Sequence, residues 1–123
     1  MKRERTSFKK SQYRSKYSAY LGVEIPNSHD VHHLDHDRSN DDVSNLVAIP
    51  RKLHKLYHYH VTYSKILEFQ LDLIPEFFSK ERKQRKDDIR KNNRTLNRLI
   101  SEIAKEKVKQ EESINTLTNI FKF

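Results

Sequence analysis

The chain has 123 residues, of which 34% are hydrophobic and an equal share charged, with one glycine, three prolines, no cysteine and a net charge of +8 with its histidines neutral. That composition excludes a disulfide framework and a cysteine zinc ribbon, and no run of apolar residues approaches the 18 or so that would span a membrane. It predicts a small core in a mostly helical chain, and a basic surface suited to a polyanion.

The charge is unevenly spread. Residues 1–25 carry +5 and residues 61–123 carry +4, whereas residues 26–60 carry −1 before any histidine is protonated. Residues 1–7 are expected to be a flexible basic arm, and with no apolar run behind them they do not resemble a secretory signal, which leaves the cytosol as the expected compartment. From Phe8 to Leu21, Tyr13, Tyr17, Tyr20 and Leu21 recur at i, i+4, i+7 and i+8, one face of a helix with Arg14 and Lys16 at its edges. Gly22 suits the residue just past that helix. Val23 to Pro26 reads as an extended connection and Asn27-Ser28 as a turn.

Residues 30–49 lack helical periodicity. A short strand from Asp30 to Leu34, a polar loop from Asp35 to Ser44 and a return strand from Asn45 to Ile49 are expected, the loop relying on Asp, Ser and Asn for its turns. Pro50 fits the first position of a helix running to Ile74, with Leu53, Leu56, Tyr57, Val61, Ile66, Leu67 and Leu71 on its apolar side and Pro75 ending it. Residues 1–75 thus form the expected core and residues 76–123 a charged helical extension. In the extension, Ile89, Asn93, Leu96, Ile100, Ile103, Lys107, Gln110, Ile114, Leu117 and Phe121 follow alternating steps of four and three, a heptad-like stripe with three polar interruptions. It would pack on the core or against a second copy, making residues 89–121 a candidate homodimer contact. The cations from Arg82 to Arg98 could touch DNA or simply be solvated.

All seven histidines lie between positions 29 and 60. His54 and His58 are four apart on a predicted helix, so they share a face and can bind one ion. His32 and His33 are adjacent in a predicted strand and must point to opposite faces, so only one can join that pair. The other would stand beside the ion without ligating it. A cation next to a free imidazole is the arrangement a metal-assisted hydrolase requires.

The paired histidines of HHxD (His32 to Asp35), the asparagine of the Ser44-Asn45-Leu46 step and the helix histidines of LHKLYH (Leu53 to His58) together resemble the HNH, or ββα-metal, endonuclease motif. The likeness covers roughly residues 8–60, with its specific part in 31–58, and its wording is similar to small phage and homing-type members. It implies a short antiparallel β-hairpin plus helix, set in a mostly α chain between an N-terminal helix and long C-terminal helices. It further implies that His32, His54 and His58 hold one divalent metal ion, that His33 is the general base activating water, and that Asn45 ties the inter-strand loop and so holds His33. Asp35 would brace the same loop, and Arg51, Lys52 and Lys55 would reach the DNA phosphate, joined by Arg14 and Lys16. His29, His36 and His60 have no family role and are expected at the surface or near phosphate. The resemblance implies a bacterial or phage-infected host cell.

The flanking CxxC pairs of many family members are absent, so apolar packing must hold the helix. An all-imidazole set favours Zn, Ni, Mn or Co over Mg on softness, although Mg is widely used in the family. Two rival readings stand beside the nuclease: a closed metal site that only staples the fold, and a non-catalytic nucleic-acid-binding module built on a decayed nuclease.

Overall fold

A computed structural model describes the backbone of residues 2–120 and the side chains of residues 12–115. In chain order it contains α1 (Lys2–Leu21), β1 (His29–His33), β2 (Leu46–Pro50), α2 (Arg51–Leu73) and α3 (Ser79–Ile120), with a single 3-10 turn, Val43–Asn45, leading into β2. The layout is mostly helical with one two-stranded antiparallel hairpin followed by a helix, as expected. Helix α1 starts at Lys2, earlier than the predicted Phe8. Residues 2–10 hold no glycine or proline, and their Lys, Arg and Glu are good helix formers, so nothing stops the helix there. The C-terminal extension is one helix rather than several.

The described chain forms two compact units: α1 and the hairpin with α3 from Ile103 onward, and α2 from Lys52 with α3 up to Glu102. In the first unit, Tyr17, Ile25, Val31, Leu46 and Ala48 form the core, with Tyr13, Leu21 and Val43 against it. Gly22 ends α1 at φ 74°, a left-handed conformation that suits glycine, and its amide donates to the carbonyls of Ser18 and Ala19. Arg14 clamps the connection that follows. Its guanidinium donates to the carbonyls of Ile25 (3.1 Å), Pro26 (2.8 Å) and His29 (2.7 Å).

The polar interruptions of the α3 stripe hold this unit together. The Gln110 amide accepts from the backbone N–H of Ala48 (3.1 Å) and donates to its carbonyl (2.7 Å), so it pairs with the outer edge of β2 as a neighbouring strand would. The Lys107 ammonium donates to the carbonyls of Val43 and Leu46 and pairs with Glu111. Burial and the nearby Glu111 carboxylate push the Tyr17 phenol well above its ordinary pKa, and its hydroxyl donates to Gln110.

In the second unit, α2 turns Tyr57, His60, Ser64, Leu67 and Leu71 inward, a stripe at helical spacing. His60 is therefore not a surface residue. Its Nδ1 lies 2.7 Å from Oδ1 of Asn92, whose amide donates back to the His60 carbonyl, and Asn92 is buried. The Arg82 guanidinium donates to the carbonyls of Leu71 and Ile74, closing the C-terminus of α2 just before Pro75.

Two sequence expectations shift here. The inward positions of α3 are Asn92, Leu96, Leu99 and Ile103, while Asn93 and Ile100 are exposed. The inward set also steps by four and three but runs through Asn92 and Leu99, and Asn92, buried against His60, is a polar residue that an apolar pattern passes over. Leu56 and Ile66 of α2 were expected inward and are exposed. Leu117 and Phe121, the last stripe positions, lie outside the described side chains.

Candidate metal centre and its loop

The hairpin register sorts the strand residues by face. His29, Val31 and His33 pair with Pro50, Ala48 and Leu46, and this is the face that meets α1. Asp30 and His32 pair with Ile49 and Val47 and share the other face. The two adjacent histidines thus point opposite ways, as a strand requires. Both are buried, His32 at 4% exposure and His33 at 7%.

Helix α2 begins where β2 ends. The Arg51 amide donates to the carbonyl of Ser28 (2.9 Å), and its guanidinium bonds the carboxylate of Asp30 (3.2 Å) and the carbonyl of Asn27 (2.6 Å). Pro50 is accordingly the last residue of β2 rather than the first of the helix, and Arg51 ties that first turn to β1. His54 and His58 follow on successive turns, with Nε2 atoms 2.9 Å apart. One ligand nitrogen from each of His32, His54 and His58 lies within 4.8 Å of the other two.

The fit to a metal can be judged from the donors. At metal–nitrogen distances of about 2.0–2.1 Å, two imidazoles on a tetrahedral ion stand roughly 3.3 Å apart. The His54–His58 pair is already close to that spacing, and His32 needs to close by at most about 1.5 Å. Three neutral nitrogens suit Zn, Ni or Mn, and suit Mg less because it prefers oxygen ligands. These three histidines can hold one divalent cation.

Asn45 holds the loop between the strands. Its Oδ1 accepts from the Asp35 amide (3.0 Å), and its Nδ2 donates to Asp35 Oδ1 (2.8 Å) and to the carbonyl of Asn40 (2.9 Å). Asp35 in turn accepts from the Asp37 amide and the Asn40 side chain. Those bonds, the one from Asn40 foremost, hold the Asp35 carboxyl below the usual carboxylate range. Asp42 caps the short 3-10 turn through the amide and hydroxyl of Ser44, which lower its pKa as well. His36 sits at φ 64°, a left-handed conformation that strains a residue with a Cβ, and its ring packs edge-on at 5.8 Å from that of His32.

On the α1 face, His33 Nε2 lies 2.8 Å from Oδ1 of Asp41, and the Tyr13 ring packs edge-on at 4.7 Å. An ionised carboxylate can only accept, so Nε2 is the donor in this bond, and in a neutral imidazole the lone pair is then on Nδ1. Asp41 is a functional candidate that sequence reasoning missed. In the run Asn40-Asp41-Asp42 the two acids look alike, and only the folded loop assigns one to His33 and the other to the turn.

The cationic candidates divide. The guanidinium groups of Arg14 and Arg51 are engaged by the backbone and by Asp30, whereas Lys16, Lys52 and Lys55 are exposed. His29 bonds the Ser28 hydroxyl through Nδ1.

Residues 17–56, about a third of the chain, match a protein-family model described as HNH endonuclease. The match includes His32, His33, Asn45 and His54 and stops two residues before His58. No curated protein and no solved structure was found to match the chain.

Proposed function

We propose that the chain is an HNH-type, metal-dependent nuclease hydrolysing DNA phosphodiester bonds, a reading supported by the match of residues 17–56 to the HNH endonuclease family model. The observation that carries this reading is the division of labour across β1. Three imidazoles converge from one side, and on the other a fourth is paired with a carboxylate.

Bound to His32, His54 and His58, a divalent cation (Mg, Mn, Zn or Ni) would supply positive charge to stabilise a phosphate under attack. His33 takes the proton of the attacking water at Nδ1. The water oxygen forms a bond to phosphorus as the bond to the 3′ oxygen breaks, leaving 5′-phosphate and 3′-hydroxyl ends. Asp41 keeps the His33 ring in the tautomer that can accept, and Asn45, braced by Asp35, holds the loop that carries Asp41. Lys52 and Lys55 on the first turns of α2, together with Lys16, attract the polyanion. Residues 1–75 form the catalytic part in this reading, 76–123 the supporting extension, and the protein acts in the cytosol. A homodimer through residues 89–121 would draw on Lys107 and Gln110, which already bond the hairpin of their own chain.

Incubation with supercoiled plasmid in Mn²⁺ or Mg²⁺, with EDTA as control, tests the proposal. Metal-dependent nicking is expected. A mobility shift with no nick in either metal would replace the enzyme with a binding module.

A further inference from the structure

Helix α2 has two apolar sides, and among the described residues only one is buried. The inward side carries Tyr57, Leu67 and Leu71. The outer side carries Tyr59, Tyr63, Ile66, Phe69 and Leu73, at steps of four, three, three and four, a stripe about 21 Å long over four turns. Tyr59, Phe69 and Leu73 are 62%, 63% and 66% exposed, and Phe77, in the turn that follows, is 81% exposed. Soluble chains seldom present so continuous a patch without a use for it. We propose that this outer face of α2 is the docking surface for a second copy of the same chain.

Three observations select that occupant. The first is area. At roughly 200 Å² for a large apolar side chain, the exposed fractions of the stripe and Phe77 amount to on the order of 700 Å², close to what one partner contributes to a standard stable interface. The second is the absence of charge along the stripe. Thr62 and Gln70 interleave with its apolar residues, whereas the basic residues of α2's outer side, Lys52 and Lys55, precede it at the end nearer the metal centre. The third is self-complementarity. If two copies cross antiparallel about a two-fold axis at Ile66, Tyr59 meets the partner's Leu73 and Tyr63 the partner's Phe69. A lipid surface would explain the apolar stripe but not its length-matched symmetry, and no helix among the described residues is long and apolar enough to cross a membrane.

The pairing goes beyond the nuclease reading and does not depend on it. Where that reading holds, two copies carry two centres, one for each DNA strand.

Sedimentation of the full chain at micromolar concentrations is expected to give a dimer. Ile66→Glu, which puts two carboxylates at the axis, should weaken it by about 100-fold while leaving the circular dichroism spectrum unchanged. Ile100→Glu, at an equally exposed site on α3, should leave the dimer intact. The chain has no cysteine, so Ile66→Cys adds a single thiol, and oxidation should link the two copies covalently. A monomeric wild-type chain, a dimer indifferent to Ile66→Glu, or a monomer that binds anionic phosphatidylglycerol vesicles through this stripe would each overturn the proposal. None of these readouts uses cleavage, so failure here is distinguishable from failure of the nuclease reading.

Discussion

His32 and His33 are neighbours in β1 and both are buried, yet their surroundings differ in kind. His32 faces two more imidazole nitrogens within 4.8 Å, and His33 faces the Asp41 carboxylate and the edge of the Tyr13 ring. Three like donors converging on one point suit a cation, because each contributes a lone pair and none brings a charge of its own. A single imidazole against a carboxylate is instead a device for fixing a proton, since the acid dictates which nitrogen carries it. One residue of strand register separates the two chemistries, because alternation sends each ring to its own face.

The sharpest way to break the comparison is to delete one histidine from each face. His33→Ala should cut cleavage by about 10²–10⁴-fold, the range for a lost general base, while Co²⁺ or Zn²⁺ titration followed by calorimetry shows metal affinity unchanged. His54→Ala should lose both, with metal affinity falling first. If His33→Ala cuts as well as the parent, the α1 face has no catalytic role. If His54→Ala binds metal normally, the converging nitrogens do not form the site.

Asp41 offers a finer test of the proton-fixing face. Asp41→Ala should lower turnover by about 10- to 100-fold without changing metal affinity, and Asp41→Asn, which keeps an acceptor oxygen, should recover part of the loss. A purely structural role would not alter the His33 tautomer. Long-range ¹⁵N–¹H spectra of the wild type should show the proton on Nε2, and Asp41→Ala should shift the population towards Nδ1. An unchanged tautomer would reduce Asp41 to a loop residue.

The histidine faces were legible in sequence because their logic is local. Adjacent positions on a strand diverge, positions four apart on a helix converge, and Asn45 stands at the loop's closing end. The support for them was hidden because it is long-range. Lys107 and Gln110 read as flaws in an apolar stripe, and only the fold shows that they bond β2 across about 60 residues of sequence. His60 read as a surface or phosphate-contacting residue, and only the fold shows it bonded to Asn92. The α3 stripe misplaced Asn93 and Ile100 because the inward face runs through Asn92, a buried polar residue that an apolar pattern passes over. Leu56 and Ile66 were placed inward because an apolar residue on a helix is most often core, and nothing local marks a second apolar side.

The smallest expected effect concerns the loop alone. The Asp42 carboxyl has a folded pKa below its unfolded value because the Ser44 amide and hydroxyl bond its charged form. A depressed acid contributes stability above its unfolded pKa, and that contribution is lost as pH falls through the folded one. Stability of the loop should therefore be flat from neutral pH down to the ordinary carboxylate range and decline below it. Asp42→Asn keeps an acceptor for the turn but cannot titrate, so its acid limb should be shallower than the wild type's, with little change at neutral pH. Hydrogen exchange of the Ser44 amide against pH reads this directly. Equal acid limbs in the two proteins would assign the loss to Asp35, whose bonds to Asn40 and Asn45 depress it in the same direction and whose strain would pass through Asn45 to the loop holding Asp41.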